Sequence, residues 1–227
     1  MEREMPWKES FRKDICGPLK SNFDLPFGTV EQPLTIDQYQ LDNAKIYSNR
    51  NTFIPTIPKN ARYIEVGVGG GDYSLLFNSI NQPVSLDLID PFNHHEFGTA
   101  KLSRYTQDTH YEFVEKQFAG VPNVTLHKGT SQDILPTLPK ASFDYIYLDG
   151  LHSREKVRQG LWNAKELIAE GGIIGVNDYI IWDFMVEDIP YGVVQTVAEF
   201  LDVNKDWHVH AFAFQEFGFC DIYLKKS

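Results

Sequence analysis

The 227 residues are 42% hydrophobic and 14% aromatic, which suits one domain with a full core and excludes a disordered chain. A net charge of −10 argues against nucleic acid as the main partner, since a phosphate backbone calls for clustered Lys and Arg. Cys16 and Cys220 are too few and too far apart for a disulfide framework or a zinc motif, and they read as reduced thiols in a cytoplasmic protein. The charged stretch 1–12 is no secretory signal, and no apolar run is long enough to cross a membrane.

Residues 1–55 are polar and broken by Pro6, Gly17, Pro18, Pro26, Gly28 and Pro33. They read as an N-terminal arm or cap with short helices, one of them around 36–47. Such an arm could cover a pocket, pack across a homodimer, or only pad the surface. Residues 56–227 form the main domain. A strand is predicted over 63–68, then a helix over 72–80 with Asp72 as its N-cap. A second strand, 83–89, ends in Asp90-Pro91. A long insertion, 92–120, follows, and its second half (106–118) has helical spacing through Tyr111, Val114 and Phe118. Next come a strand over 124–127, a short helix over 133–138, and a strand over 143–148 apolar enough to be buried on both faces. A helix over 155–169 is closed by Gly171-Gly172. Then come a strand over 173–176 and a helix over 193–201. Two late strands, 207–214 and 219–224, flank a turn at 215–218. Strands alternating with helices imply an α/β, doubly wound, mostly parallel sheet with right-handed crossovers, and the last hairpin adds an antiparallel strand.

The segment Glu65-Val66-Gly67-Val68-Gly69-Gly70-Gly71-Asp72 joins a strand to a helix through a glycine-rich turn. That arrangement makes a nucleotide-type cofactor site at the carboxyl end of a parallel strand. The plain alternative is a turn that only connects the two elements. A phosphate loop would need Lys-Ser or Lys-Thr after the last glycine, where Asp72-Tyr73 stands. A dinucleotide fingerprint would need glycine where Asp72 or Ser74 stands, so a nicotinamide oxidoreductase is disfavoured.

Glu65-x-Gly67-x-Gly69-x-Gly71 resembles the first motif of the class I S-adenosylmethionine-dependent methyltransferases. The resemblance implies a Rossmann-like, seven-stranded sheet and a cofactor with a cationic sulfonium, for which nearby carboxylates such as Asp72 are favourable. The cofactor's own carboxylate could use the helix N-terminal amides. In the family an acid at the position of Asp90 binds the ribose hydroxyls. Lys128-Gly129-Thr130-Ser131 resembles the loop at the adenine edge, with Thr130 in place of the usual Asp. Capping of the next helix is an equal reading for Thr130 and Ser131.

Asp149-Gly150-Leu151-His152 follows the fourth main-domain strand, and Asn177-Asp178 ends the fifth. Asp149, Asn177 and Asp178 offer hard oxygen ligands suited to Mg²⁺. The combination resembles the metal-dependent O-methyltransferases, among them catechol O-methyltransferase and, closer still, the branch that methylates sugars of macrolide and aminocoumarin antibiotics. The resemblance implies O-methylation of a small hydroxylated substrate. A metal would lower the pKa of the accepting hydroxyl, with Asp149 and His152 as catalytic residues and His152 as general base. Asn177 stands where an acid is often found, which favours a metal-independent version with a His base. His152 also reads as a structural histidine, and the whole chain as a non-catalytic module of the same fold. His94-His95 reads as an exposed loop, and His208 and His210 share one strand face. Trp182 and Phe184, ahead of Tyr105 and Tyr111, are pocket candidates, with core packing as the alternative.

Overall fold

Among the residues that the computed structural model describes, 34–93, 108–183, 189–215 and 218–227, there are ten strands and six α-helices. The strands are β1 (Lys45–Tyr47), β2 (Arg62–Val66), β3 (Ser85–Asp90), β4 (Val124–Lys128), β5 (Phe143–Leu148), β6 (Ile168–Val176), β7 (Trp182–Asp183), β8 (Ile189–Pro190), β9 (Trp207–Phe214) and β10 (Cys220–Lys226). The helices are α1 (Arg50–Phe53), α2 (Asp72–Asn81), α3 (His110–Gln117), α4 (Ser131–Ile134), α5 (Arg154–Leu167) and α6 (Val193–Val203). Eight strands form one sheet in the order β1-β9-β10-β6-β5-β2-β3-β4. Only β10 runs antiparallel to its neighbours, and β7 and β8 form a separate small ribbon.

Period-two alternation divides the core into two layers. Ile64, Val66, Ile146 and Leu148 face α5 and α6, which bury Val157, Leu161, Ala164, Val193, Val197 and Leu201. Tyr63, Tyr145 and Tyr147 face the other way, toward Tyr73 and Phe77 of α2 and Val114 of α3. Helix α2 buries Tyr73, Phe77 and Asn81 along one stripe. The Asn81 amide donates to the Ile54 and Ile57 carbonyls and so docks the segment before β2. Helix α3 opens with a reciprocal cap between Thr109 and Glu112. Gly175 lets this layer close: a Cβ there would lie 2.8 Å from Tyr147 and 2.9 Å from Tyr223.

The main departures from the sequence reading are local. The arm supplies an eighth strand: residues 45–47 pair in parallel with β9, and only Gln38–Gln40 in the 36–47 stretch is helical, as a short 3₁₀ turn. Asp72 is the first helical residue of α2, and Gly71, at φ 83°, occupies the cap. Gly171-Gly172 do not end a helix. Helix α5 stops at Leu167, and the glycines lie in an irregular part of β6 where the register with β5 shifts. The helix read over 106–118 begins at His110. Phe184, Tyr105, His94, His95 and Cys16 lie outside the described residues, as do two residues of the 215–218 turn. Cys220 is a free thiol. Among the described residues no helix is long and apolar enough to cross a membrane.

Candidate active site

The glycine turn is clamped between the ends of β3 and β5. The Gly67 amide donates to the Ile89 carbonyl at 2.9 Å, and the Asp149 amide donates to the Val66 carbonyl at 2.7 Å. Gly67 has φ 85°, and a Cβ there would lie 1.8 Å from the Asp149 carbonyl oxygen, so no other residue fits. At Gly69 the space where a Cβ would point is open. This is the bare backbone cradle that a close-lying ligand needs.

Carboxylates surround the turn. Asp90 is 3% exposed; one of its oxygens accepts from the Val68 amide (2.9 Å) and the Gly69 amide (3.4 Å), and the other from the Phe92 amide (2.7 Å). Its carboxylate therefore folds the turn itself. His110 is fully buried, with Nε2 2.7 Å from the Gly69 carbonyl and Nδ1 3.9 Å from Asp90. Glu65 lies beneath the turn and accepts from the hydroxyls of Tyr63 and Ser74. Burial pushes the Glu65 carboxyl up to about 7 despite those bonds. Asp72 is exposed at the start of α2. Thr130 caps α4, its hydroxyl 3.3 Å from the Asp133 amide, and Ser131 accepts from Gln132. Their loop still abuts the turn, because the Gly129 amide donates to the Asp90 carbonyl.

A second cluster lies at the ends of β5 and β6. His152 Nε2 is 3.8 Å from Asp149 Oδ1 and 4.0 Å from Asp178 Oδ2, within charge attraction and beyond hydrogen bonding. Asp178 has φ 50°, a left-handed conformation that Asp tolerates. The Asp149 carboxyl is raised well above its ordinary value, first by burial and further by the like charge of Asp178, while Arg50 opposes the rise. Asp149 and Asp178 each lie within 4.0 Å of His152 Nε2, and their oxygens are of the kind that a hard divalent ion takes. Asn177 ends the same strand, but its amide nitrogen donates to the Tyr147 hydroxyl (3.1 Å) and to Asp221 (3.2 Å). Among the described residues no group of three or more His, Cys, Asp or Glu gathers as a metal site.

Several groups here carry no short-range sequence signal. Tyr191 stacks on His152, with ring centroids 4.4 Å apart and planes 15° apart, and its hydroxyl donates to buried Asp183. The Gly192 amide donates to the His152 carbonyl. Asp221 is fully buried and collects Tyr147, Tyr223, Asn177 and Gln215. Burial raises its pKa, while Arg50 and the Tyr147, Tyr223 and Gln215 donors oppose the rise. Arg50, brought in by α1, lies 3.6 Å from Asp221, donates to Gln215, and stands 5.5 Å over the Tyr73 ring. The Asn49/Thr52 capping pair places α1, but nothing local places Arg50 in the cleft.

A mostly parallel sheet ordered in this way, with a glycine turn at the β2 end and acids at the ends of β3, β5 and β6, defines a class I S-adenosylmethionine-dependent methyltransferase. Residues 64–179, just over half the chain, match the family described as "Methyltransferase domain", and the chain belongs to that family. Among solved structures it resembles the O-methyltransferase TomG from Streptomyces achromogenes, involved in tomaymycin synthesis and solved with S-adenosylmethionine. That match has 21% identity and a TM-score of 0.54, and covers 99% of this chain and 91% of TomG. An rRNA methylase from Streptococcus thermophilus matches at 9% identity and TM-score 0.53, over 78% of this chain and 93% of that one. Aeropyrum pernix fibrillarin, with natively bound S-adenosyl-L-methionine, matches at 13% identity and TM-score 0.52, over 74% and 67%. At these identities the likeness is one of fold. No curated protein matched by sequence.

Proposed function

We propose that this methyltransferase transfers a methyl group to a hydroxyl oxygen of a small molecule, such as a sugar or a natural-product intermediate, with the help of Mg²⁺. The observation that carries the reading is the approach of Asp149 and Asp178 to His152 Nε2, within 4.0 Å, beside the glycine turn. When bound, the cofactor supplies an electrophilic methyl group and Mg²⁺ lowers the pKa of a coordinated hydroxyl. Asp149 and Asp178 would hold the metal. Asn177 is the weaker ligand in this assignment, because it is a neutral amide that would ligate through Oδ1 alone, its Nδ2 being turned to Tyr147 and Asp221.

The residues of the chain do the rest. His152 Nε2 takes the proton of the hydroxyl, and the Tyr191 stack fixes the direction of the imidazole. Gly67 and Gly69 let the cofactor lie against bare backbone. Asp90 and His110 hold the turn in shape, and Asp90 has acceptor capacity left for ribose hydroxyls. Thr130 and Ser131 border the adenine side. The net charge of −10 favours a small acceptor over RNA.

The test uses labelled S-adenosylmethionine with a library of hydroxylated small molecules, before and after a chelator. Transfer lost to the chelator and restored by Mg²⁺ is expected, together with a fall of about 10²–10⁴-fold in His152→Ala. Transfer indifferent to the chelator selects the metal-independent version with His152 alone, which Asn177 favours by standing where an acid is often found. Transfer to RNA only would overturn the acceptor class.

A further inference from the structure

We propose that Arg50 is the receptor for the carboxylate of the cofactor's amino-acid end, so that the N-terminal segment completes the cofactor site. The inference rests on the assignment of S-adenosylmethionine above and adds a subsite to it. S-adenosylmethionine has one anionic group, its α-carboxylate. The turn on which it would rest is held by the Asp90 carboxylate, which repels an anion, and buried Glu65 beneath it offers an anion no partner. The exposed carboxylate of Asp72 at the first position of α2 also weakens that helix end as an anion site.

Arg50 meets this need. Its guanidinium stands 5.5 Å over Tyr73, the second residue of α2, and Tyr73 in turn stacks on Tyr147, two residues before Asp149. Its positive charge acts on both Glu65 and Asp149, which places it on the turn side of the cleft. The side chain is 23% exposed, so the group is held yet reachable. Asp221 faces Nε and Gln215 accepts from Nη2. A guanidinium has five N–H donors in a fixed fork, so donors remain for a carboxylate. Asp221 and Gln215, both from the β9–β10 hairpin, thus aim the fork. Other described arginines are committed elsewhere: Arg62 pairs with Asp144, and Arg154 and Arg158 with Glu199.

The experiment compares two ligands by calorimetry on the full chain. S-adenosylhomocysteine has the amino-acid end; 5′-methylthioadenosine keeps the adenosine and the sulfur and lacks it. Arg50→Met is expected to weaken S-adenosylhomocysteine by about 10- to 100-fold, as fits a lost charge-assisted hydrogen bond, and to leave methylthioadenosine within about twofold. Arg50→Lys should recover part of the loss. Because Arg50→Met alone strands the buried Asp221 carboxylate, the double variant Arg50→Met/Asp221→Asn serves where the single one does not fold. Equal weakening of both ligands, or of neither, overturns the inference while the cofactor assignment stands. Failure of the unmodified protein to bind either ligand overturns that assignment and the inference with it.

Discussion

Glu65→Gln separates the electrostatics of the glycine turn from its packing. Glu65 is 1% exposed, and burial moves its carboxyl from the ordinary 4.5 up to about 7, with the Tyr63 and Ser74 hydroxyls and Arg50 limiting the rise and Asp90 adding to it. Between those two values the unfolded chain has lost the proton and the folded one keeps it. Folding stability therefore falls as pH rises through this window, and it is level in this respect above about 7. At about 1.4 kcal/mol for each pH unit, the folded state loses ~3 kcal/mol between pH 4.5 and 7 through this one group. Gln cannot ionise, so the variant lacks that slope. Its second amide hydrogen needs an acceptor that the protonated carboxyl does not, but that requirement is the same at every pH. Urea unfolding followed by tryptophan fluorescence, at several pH values from 4.5 to 8, gives the stability difference between variant and parent. That difference should shift by ~3 kcal/mol in favour of Glu65→Gln and then stay constant. Parallel curves for the two proteins across the window would refute the reasoning.

Two further substitutions test the site. Gly67→Ala must place a Cβ 1.8 Å from the Asp149 carbonyl at φ 85°, so the turn has to move; thermal unfolding should report a loss of ~3 kcal/mol or more, and S-adenosylhomocysteine should bind at least about 100-fold more weakly. Binding within a few-fold of the parent would mean that the cofactor does not use this turn. Tyr191→Leu removes the ring stacked on His152 and should lower kcat by about 10- to 100-fold with little change in cofactor affinity, whereas Tyr191→Phe, which keeps the ring and loses the hydroxyl that donates to Asp183, should restore most of it. Equal kcat values for the two variants would show that the stack does not orient the imidazole.

Much of the scaffold was legible because its signals are local. The apolar run of β5, the helical stripe of α6 and the positive-φ glycines after β2 each lie within one short window, and each element formed there. Boundaries moved where a neighbouring residue competed for the same role, as Gly71 did with Asp72 at the start of α2. The Gly171-Gly172 pair reads equally as a helix stop or as an irregular strand, and the register shift against β5 decides for the latter. What stayed hidden depends on distant partners. β1 is a strand only because Ala211–Ala213 lie beside it. Arg50 enters the cleft only because Asp221 and Gln215 draw it there. Tyr191 counts only because the β7–β8 ribbon returns to His152. No spacing within a window encodes such pairings.

The joining of early and late segments has a consequence for synthesis. β1 needs β9, Arg50 needs Asp221, and Phe53 stacks on Tyr223 at 3.6 Å, all across more than 160 residues. A chain leaving the ribosome carries β1, Arg50 and Phe53 without these partners until β9 and β10 have been translated. The central strands can assemble earlier, but the wall that Arg50 brings to the cleft is added last. A nascent chain stalled before residue 207 would hold the glycine turn without that wall.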